Sequence, residues 1–187
     1  CYSIAMTSPE TPFGTLSFVP ALSRPDLMTE SVRTMIETLP NPDEILISPI
    51  DPGLSDTAAF CEAYEIGMDE GANCVIVEGR RSERTALAAV LVRGADRADI
   101  NKVVKKFLDV RKISFADKEK AVAESGMEFG AITPIGLPAD WPILIDSAVA
   151  ASERLIIGSG IRSSKLLVPG TVLAALPNAT VIENLAQ

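Results

Sequence analysis

The chain contains no histidine among its 187 residues. Ser-His and Cys-His catalysis, and metal sites with histidine ligands, are therefore excluded. Any chemistry has to rely on main-chain groups, carboxylates, lysines, hydroxyls, thiols, water or the substrate itself. Because backbone N–H groups can bind an anion or a developing oxyanion without a catalytic side chain, a main-chain site is the first arrangement to consider.

Cysteine is also scarce, and the three cysteines, Cys1, Cys61 and Cys74, have neither the spacing of a disulfide framework nor that of a zinc site. Cys61 lies in a helical pattern and Cys74 in an apolar run, so both are predicted to be small buried residues. The alternative, Cys74 as a nucleophile, requires a base or a cation that lowers its pKa, and no sequence neighbour supplies one. No metal and no cofactor are expected.

Long hydrophobic runs are missing too. No segment approaches the roughly 18 apolar residues that cross a bilayer, and residues 1–20 lack the basic start and apolar centre of a signal peptide. A cytoplasmic protein without a membrane partner is expected. The chain begins at Cys1, and Met6 is a candidate natural start. Residues 1–12 are interpreted as an N-terminal extension or cloning remnant, and residues 13–187 as one domain.

Positive charge is almost absent from the first part of the chain. Residues 1–78 contain 13 acidic and two basic residues, a net charge of −11, whereas residues 79–187 have a net charge of +3. The overall charge of −8 argues against a nucleic-acid partner, but a local phosphate-binding surface in the second part stays open. A solvated helix face is the alternative. The densest basic group is Lys102, Lys105, Lys106, Arg111 and Lys112.

The most informative feature present is the segment 126–138, which holds three glycines and two prolines within thirteen residues. These residues exclude a regular helix or strand. The segment also contains Phe129, Ile132, Ile135 and Leu137, so it is too apolar for a mobile linker. A rigid loop that packs on the core and exposes its backbone is predicted.

Helical and strand patterns alternate along the rest of the chain, which indicates a single α/β domain with about eight strands. Two adjacent strands, 73–78 and 85–92, joined by a charged turn at 79–84, predict a hairpin and therefore a mixed, largely antiparallel sheet. Further strands are predicted at 13–19, 44–48, 111–115, 141–146, 154–157, 165–168 and 179–182. Helices are predicted at 25–39, 55–64, 96–108 (opening at Asp96 or Asp99), 117–125 and 170–176, with a short alanine-rich helix before Arg154.

The region from about residue 55 to 175 resembles the YbaK/ProX (EbsC-like) family of aminoacyl-tRNA editing domains, which hydrolyse amino acids wrongly attached to tRNA. The segment Gly130-Ala-Ile-Thr-Pro134 fits the family's Gly-x-x-x-Pro loop, and Ile135-Gly-Leu-Pro138 follows as it does in the family. Ile143-Leu-Ile-Asp146 is similar to the family's apolar strand that ends in Asp, and Gly158-Ser-Gly160 with Lys165 is similar to its closing strand pair.

This resemblance implies a barrel-like sheet with surrounding helices and a trans-acting deacylase that removes a small mischarged amino acid from tRNA. The loop amides would hold the ester carbonyl, and a bound water or the ribose hydroxyl of the tRNA would attack it. Aminoacyl-tRNA is the implied partner, and an aminoacyl-tRNA synthetase is a further candidate. The implied catalytic residues are Gly130, Ala131 and Asn73; the implied substrate-binding residues are Ile132, Thr133, Pro134, Asp146, Ser159, Gly160 and Lys165.

One position departs from the family pattern. The family usually has a lysine in the strand after the helix that ends near Tyr64, and Asn73 stands at or near that position here. A neutral amide forms weaker hydrogen bonds than a cation. The alternative function is therefore a catalytically weak or inactive binding module of the same fold, which holds an aminoacyl or nucleotide end. A third hypothesis is a protein-interaction domain that uses the acidic N-terminal part.

Several implied site residues also have a purely structural interpretation. Asp146 either binds the α-ammonium group of the substrate or caps the following helix. Lys165 either meets the terminal phosphates of the tRNA or is a surface lysine on an edge strand. Ser159 and Gly160 serve either a close approach to a ligand or a simple turn.

The residues of the loop are equally open to two interpretations. Gly130 either presents its amide to the substrate or only permits a tight turn. Thr133 either contacts the substrate or bonds to its own backbone, and Pro134 is expected to set the loop's shape. Phe129 and Trp141 either stack on the terminal adenine or pack in the core.

Overall fold

The computed structural model describes residues 10–187. Cys1, Met6 and the rest of residues 1–9 lie outside the described residues. Thr11 and Pro12, which the sequence analysis assigns to the extension, pair with Phe18 and Ser17 in a sheet. The division of the chain at residue 13 otherwise stays a prediction.

The first of two five-stranded sheets is antiparallel throughout. The sequence predicts a single strand at 13–19, which is wrong: the chain turns at Gly14, whose φ is +56°, and forms two strands of a hairpin. In spatial order the strands are β1 (Thr11–Phe13), β2 (Leu16–Pro20), β3 (Leu46–Pro49), β9 (Ser164–Val168) and β8 (Leu155–Gly158).

The second sheet contains the predicted hairpin and two parallel pairings. Its strands, in spatial order, are β10 (Ala179–Ile182), β7 (Ile143–Asp146), β5 (Arg84–Arg93), β4 (Ala72–Arg81) and β6 (Lys112–Phe115). Strand β7 runs parallel to β5 and β10, and the other pairs are antiparallel. The six-residue turn predicted at 79–84 is wrong, because pairing continues to Arg81 and Arg84 and leaves a two-residue turn with Ser82 at φ +55°.

Six α-helices pack around these sheets in the described part of the chain, and five helical segments begin after an aspartate whose side chain accepts a backbone N–H: Asp51, Asp56, Asp99, Asp117 and Asp146. The helix predicted from Pro25 is interrupted: a 3₁₀ turn ends at Leu27, and Met28 is extended. The helices are α1 (Glu30–Thr38), α2 (Thr57–Tyr64), α3 (Lys105–Phe107, preceded by a π-helical turn at Ile100–Val104), α4 (Lys118–Ser125), α5 (Ser147–Ala150) and α6 (Gly170–Ala174).

Strand β5 is buried on both faces, which explains its uninterrupted apolar sequence. Leu87, Ala89 and Leu91 pack into the core between the sheets, and Ala88 and Val90 pack into a second cluster on the outer face. A bridge between Gly71 and Ile156 joins the two sheets beside β4 and β8. The predicted fold class, a single α/β domain with a mixed, largely antiparallel, barrel-like sheet and surrounding helices, is thus confirmed. Within residues 10–187, no helix is long and apolar enough to cross a membrane.

Candidate functional site

A cavity of about 620 Å³ opens between the two sheets, beside their junction. This volume lies within the range of small-molecule sites. One wall is the first half of β4, a second is the start of α2, and a third is the Gly/Pro loop. Residues from β8 and β9 complete the inner end. The lining residues are Ser55, Asp56, Thr57, Ala58, Met68, Ala72, Asn73, Cys74, Val75, Ile76, Phe115, Ala116, Lys118, Ala121, Phe129, Gly130, Ile132, Gly158 and Lys165.

The amides of the Gly/Pro loop divide into two sets. The Ala131 N–H donates to the Glu128 carbonyl at 3.0 Å, and the Thr133 N–H points at the sulfur of Met127 at 3.5 Å. The N–H groups of Phe129, Gly130 and Ile132 have no acceptor among residues 10–187, and all three residues line the cavity. These amides are therefore the loop's candidate donors to a ligand.

Neighbouring elements hold the loop in this conformation. The Gly160 N–H donates to the Ala131 carbonyl at 2.9 Å. A Cβ on Gly158 would come within 2.5 Å of that same carbonyl oxygen, so the loop rests directly on the end of β8. The Arg162 guanidinium donates to the carbonyls of Phe129 and Pro52, each at 3.2 Å, and links the loop to the turn before α2. This bonding makes the loop rigid, as its composition predicts.

Lys165 is the buried cation of the site. Its residue is only 7% exposed, and its Nζ donates to the Ser55 carbonyl at 2.9 Å and lies 5.4 Å from the centre of the Phe60 ring. Burial lowers the pKa of Lys165 to about 8, with a smaller contribution from Arg162. The edge-strand interpretation is wrong, because β9 lies between β3 and β8.

Hydroxyl and amide groups complete the polar part of the cavity. The Ser55 side chain is buried, and its Oγ has no hydrogen-bond partner among the described residues. That oxygen lies 3.5 Å from where a Cβ on Gly130 would be. The Thr57 hydroxyl donates to Asn73 Oδ1 and so orients the side-chain amide. The Asn73 side-chain N–H groups have no acceptor in the described part of the chain. The Ser55 hydroxyl and the Asn73 side-chain amide can both donate a hydrogen bond to a ligand.

Cys74 lines the cavity but lacks the features of a nucleophile. Burial raises the pKa of its thiol to about 12. The thiolate form, which is the reactive one, is therefore rare at neutral pH. Cys61 is buried as predicted, whereas Cys74 is only partly buried because it faces the cavity.

Four of the ten site residues implied by the resemblance lie together in the cavity, namely Asn73, Gly130, Ile132 and Lys165. Asp146 does not line it; its carboxylate caps α5 through the Ala148 N–H and also accepts the Ala186 N–H, each at 3.1 Å. Ala131, with its amide already bonded, is also absent from the lining, as are Thr133, Pro134, Ser159 and Gly160.

The remaining implied residues lie behind the cavity wall. Thr133 is fully buried and its hydroxyl has no partner among the described residues, so it is not bonded to its own backbone. The Ser159 hydroxyl bonds to the Ile161 carbonyl and to Ser164 within the β8–β9 turn. A Cβ on Gly160 would come within 2.5 Å of the Thr29 hydroxyl oxygen, so this glycine allows a close packing contact.

Sequence reasoning missed several residues that the structure brings to the site. Phe115 and Lys118 reach its rim because β6 pairs with β4 and α4 follows β6. No local pattern indicates these positions. The local sequence marks Ser55 only as a candidate helix cap, a role that Asp56 fills.

A family profile, described as the aminoacyl-tRNA editing domain, matches residues 51–176. This range contains every residue of the cavity lining and the whole Gly/Pro loop.

Solved structures share the fold. A crystal structure of a hypothetical protein has a TM-score of 0.73, 18% sequence identity, and a match that covers 84% of this chain and all of that one. A protein proposed to be a trans-editing enzyme for prolyl tRNA synthetase has a TM-score of 0.67, 16% identity, and coverage of 83% of this chain and 97% of that one. At these identities the likeness establishes the architecture only.

Proposed function

The chain belongs to the aminoacyl-tRNA editing domain family, as the residues of its Gly/Pro loop predict, and from this we propose that it is a trans-acting deacylase that removes a small mischarged amino acid from tRNA. One observation carries the proposal. Gly130 and Ile132, whose amides have no acceptor among residues 10–187, line the same cavity as the buried Lys165.

The two amides are the proposed binding site for the ester carbonyl. Donors that are fixed before the reaction stabilise the negative charge that develops on a carbonyl oxygen. The bonds of Ala131 to Glu128 and Gly160 keep the loop from relaxing around a ligand. In this scheme Ala131, which the resemblance marks as catalytic, is a positioning residue whose own amide does not reach the substrate.

Lys165 and Asn73 supply the remaining donors. The ammonium is buried at the inner end of the cavity, away from the exposed rim where phosphates would lie. We therefore assign Lys165 to the developing charge of the aminoacyl group and not to the terminal phosphates. Asn73, oriented by Thr57, donates a neutral hydrogen bond to the same substrate.

The cavity wall suits an amino acid with a small side chain. Four alanines, at positions 58, 72, 116 and 121, line it together with Val75. Because these wall side chains are small, the cavity has room for the amino acid and also for the ribose to which it is esterified. The amino acid and the terminal nucleoside would thus share the cavity.

Hydrolysis needs no protein base in this arrangement. A water oxygen adds to the carbonyl carbon, the bond between that carbon and the ribose oxygen breaks, and the ribose oxygen gains the proton that water loses. The adjacent ribose hydroxyl can relay this proton. The unpartnered Ser55 hydroxyl, close to Gly130, is suited to hold the water.

Deacylation of a panel of mischarged tRNAs tests the proposal. We expect release of alanine, serine or cysteine above the spontaneous rate from at least one tRNA, and much slower release of leucine or phenylalanine, because the large side chains would compete with the ribose for the cavity. Release of radiolabelled amino acid measures both. If folded protein releases none of these amino acids above background, the proposal is wrong.

The second candidate is a binding module, and the neutral Asn73 is the observation that favours it. Asn73→Lys separates the two functions. We expect active wild-type protein and slower hydrolysis by the variant, because a second ammonium in the cavity would repel Lys165. Inactive wild-type protein and an active variant would instead support the binding module. Asn73→Gln, which keeps a neutral amide, is the matched control.

The substrate class, aminoacyl-tRNA, follows from the family. An interaction with an aminoacyl-tRNA synthetase stays a prediction, and so does the cytoplasmic location. The amino acid and the tRNA that the protein recognises are what the deacylation panel would identify.

A further inference from the structure

Two exposed phenylalanines border the mouth of the cavity. Phe115 is 67% exposed and Phe129 is 49% exposed, whereas large apolar side chains in the described part of the chain are mostly buried. Both line the cavity. The Lys118 Nζ lies 4.4 Å from the centre of the Phe129 ring, so this aromatic face is already paired with a cation.

A second depression adjoins the cavity at Phe115. It has a volume of about 430 Å³, and Ile113, Ile100 and Asn101 contribute to its walls. Phe115 borders both depressions. The two depressions together are our candidate path for a ligand that extends from the cavity past Phe115 towards the basic helical segment, and Asp99 also lines the second depression.

Positive charge is concentrated beside this path. We define the basic strip as Lys102, Lys106, Arg111, Lys112 and Lys118, all of which are exposed. None of them forms a salt bridge with another described residue, whereas Arg24, Arg33, Arg80, Arg81 and Arg93 do. This concentration of unpaired cations stands out in a chain whose net charge is −8.

We infer that Phe115 and Phe129 stack on unpaired bases at the 3′ end of the substrate tRNA, and that the basic strip holds the phosphates of its acceptor arm. The inference rests on the proposed function. The aminoacyl ester lies at the end of a single strand, so that strand has to leave through the cavity mouth. Aromatic side chains bind single-stranded bases by stacking, and lysine and arginine bind the backbone.

The aromatic part is tested with two uncharged RNA hairpins, one that ends in a four-nucleotide 3′ single strand and one that is blunt. Fluorescence anisotropy measures their dissociation constants. We expect Phe115→Ala and Phe129→Ala to weaken binding of the single-stranded end about tenfold each and to leave binding of the blunt hairpin unchanged. Phe107→Ala, which removes an exposed ring that lines neither depression, is the matched control.

The electrostatic part is tested by salt dependence. Lys102→Gln and Lys106→Gln should each lower the slope of log Kd against log salt concentration by about one, for both hairpins. The control is Arg33→Gln, because Arg33 is paired with Glu30 and Glu37 on α1. Circular dichroism checks that each variant is folded.

These measurements separate the inference from the proposed function, because uncharged RNA cannot be deacylated. If the wild-type protein deacylates tRNA but the phenylalanine variants bind the single-stranded end normally, the inference is wrong and the function stands. If the phenylalanines matter for binding but no tRNA is deacylated, the function is wrong. Failure to bind either hairpin, with binding of polyglutamate instead, would overturn the inference and indicate an acidic protein partner.

Discussion

Lys165→Met is expected to reduce kcat for deacylation about 100-fold or more, because removal of a single fixed donor to a developing oxyanion has an effect of that size. Lys165 is buried in the cavity, whereas Lys118, which also lines it, is exposed. Single-turnover hydrolysis of the best substrate from the mischarged panel measures the loss. Lys118→Met, a change at the exposed rim, should leave single-turnover hydrolysis at saturating protein nearly unchanged.

The same substitution should stabilise the protein at neutral pH. The pKa of Lys165 is about 8 in the folded protein, below its ordinary value of 10.5, because burial disfavours the charged form. Holding the protonated lysine in the folded state therefore costs roughly 3 kcal/mol at pH 7. Methionine avoids this cost but loses the hydrogen bond to the Ser55 carbonyl, so we expect a net gain of about 2 kcal/mol in the free energy of unfolding.

The stability difference between Lys165→Met and the wild type should change with pH in one direction. Between pH 8 and about 10.5, the unfolded chain holds a proton on Lys165 that the folded protein has lost, so the stability of the wild type rises with pH. The advantage of Lys165→Met should thus be largest below pH 8 and shrink towards pH 10.5. Urea denaturation at several pH values measures it. An equal advantage at pH 7 and pH 10 would show that Lys165 is not a buried cation.

Deacylation activity should depend on the same protonation of Lys165, but it should fall over the pH range in which the stability rises. If the ammonium form of Lys165 stabilises the transition state, the enzymatic rate falls as the pH rises through about 8. Spontaneous ester hydrolysis becomes faster over that range and has to be subtracted with protein-free controls. A rate that keeps rising to pH 9.5 after this correction would contradict the role given to Lys165.

Local signals in the sequence predict most of the fold. The helices predicted at 55–64 and 117–125 are present and are capped by Asp56 and Asp117, and the β4–β5 hairpin follows from two adjacent apolar runs. The predictions are wrong where contacts between residues distant in the sequence determine the local structure. The strand predicted at 13–19 turns at Gly14, where a Cβ would come within 2.3 Å of the Tyr64 carbonyl oxygen, a contact that no local pattern reveals.

The candidate site was predictable to a smaller extent, for the same reason. The composition of the Gly/Pro loop indicates an exposed backbone, but which amides are free depends on Glu128 and Met127. The location of Lys165 depends on the order β3-β9-β8, which the sequence does not contain. Asp146 would end a strand whether it bound the substrate or capped a helix. Only the structure shows that its carboxylate accepts the N–H groups of Ala148 and Ala186.

Gly130→Ala is expected to lower deacylation at least tenfold while destabilising the protein by only about 1–2 kcal/mol, the usual penalty of a non-glycine residue in the left-handed region. Gly130 has a φ of +85°, and a Cβ there would lie 3.2 Å from an Arg162 nitrogen and 3.5 Å from Ser55 Oγ. The contact with Ser55 Oγ is an ordinary one, but the contact with Arg162 is tight, so the guanidinium that bonds to the Phe129 carbonyl, or the loop itself, has to move by a few tenths of an ångström. The free amides of the loop would then point away from the carbonyl position they are proposed to serve.

Gly126→Ala separates this local effect from general strain. Gly126 has a comparable φ of +70°, no atom lies within 4 Å of where its Cβ would be, and it does not line the cavity. Its substitution should cause a similar loss of stability, again about 1–2 kcal/mol, with activity close to that of the wild type. Deacylation kinetics and urea denaturation of both variants form the comparison. If both keep full activity, the Gly130 amide does not hold the carbonyl; if both lose it equally, the loss reflects strain in the loop and not a donor at the reacting atom.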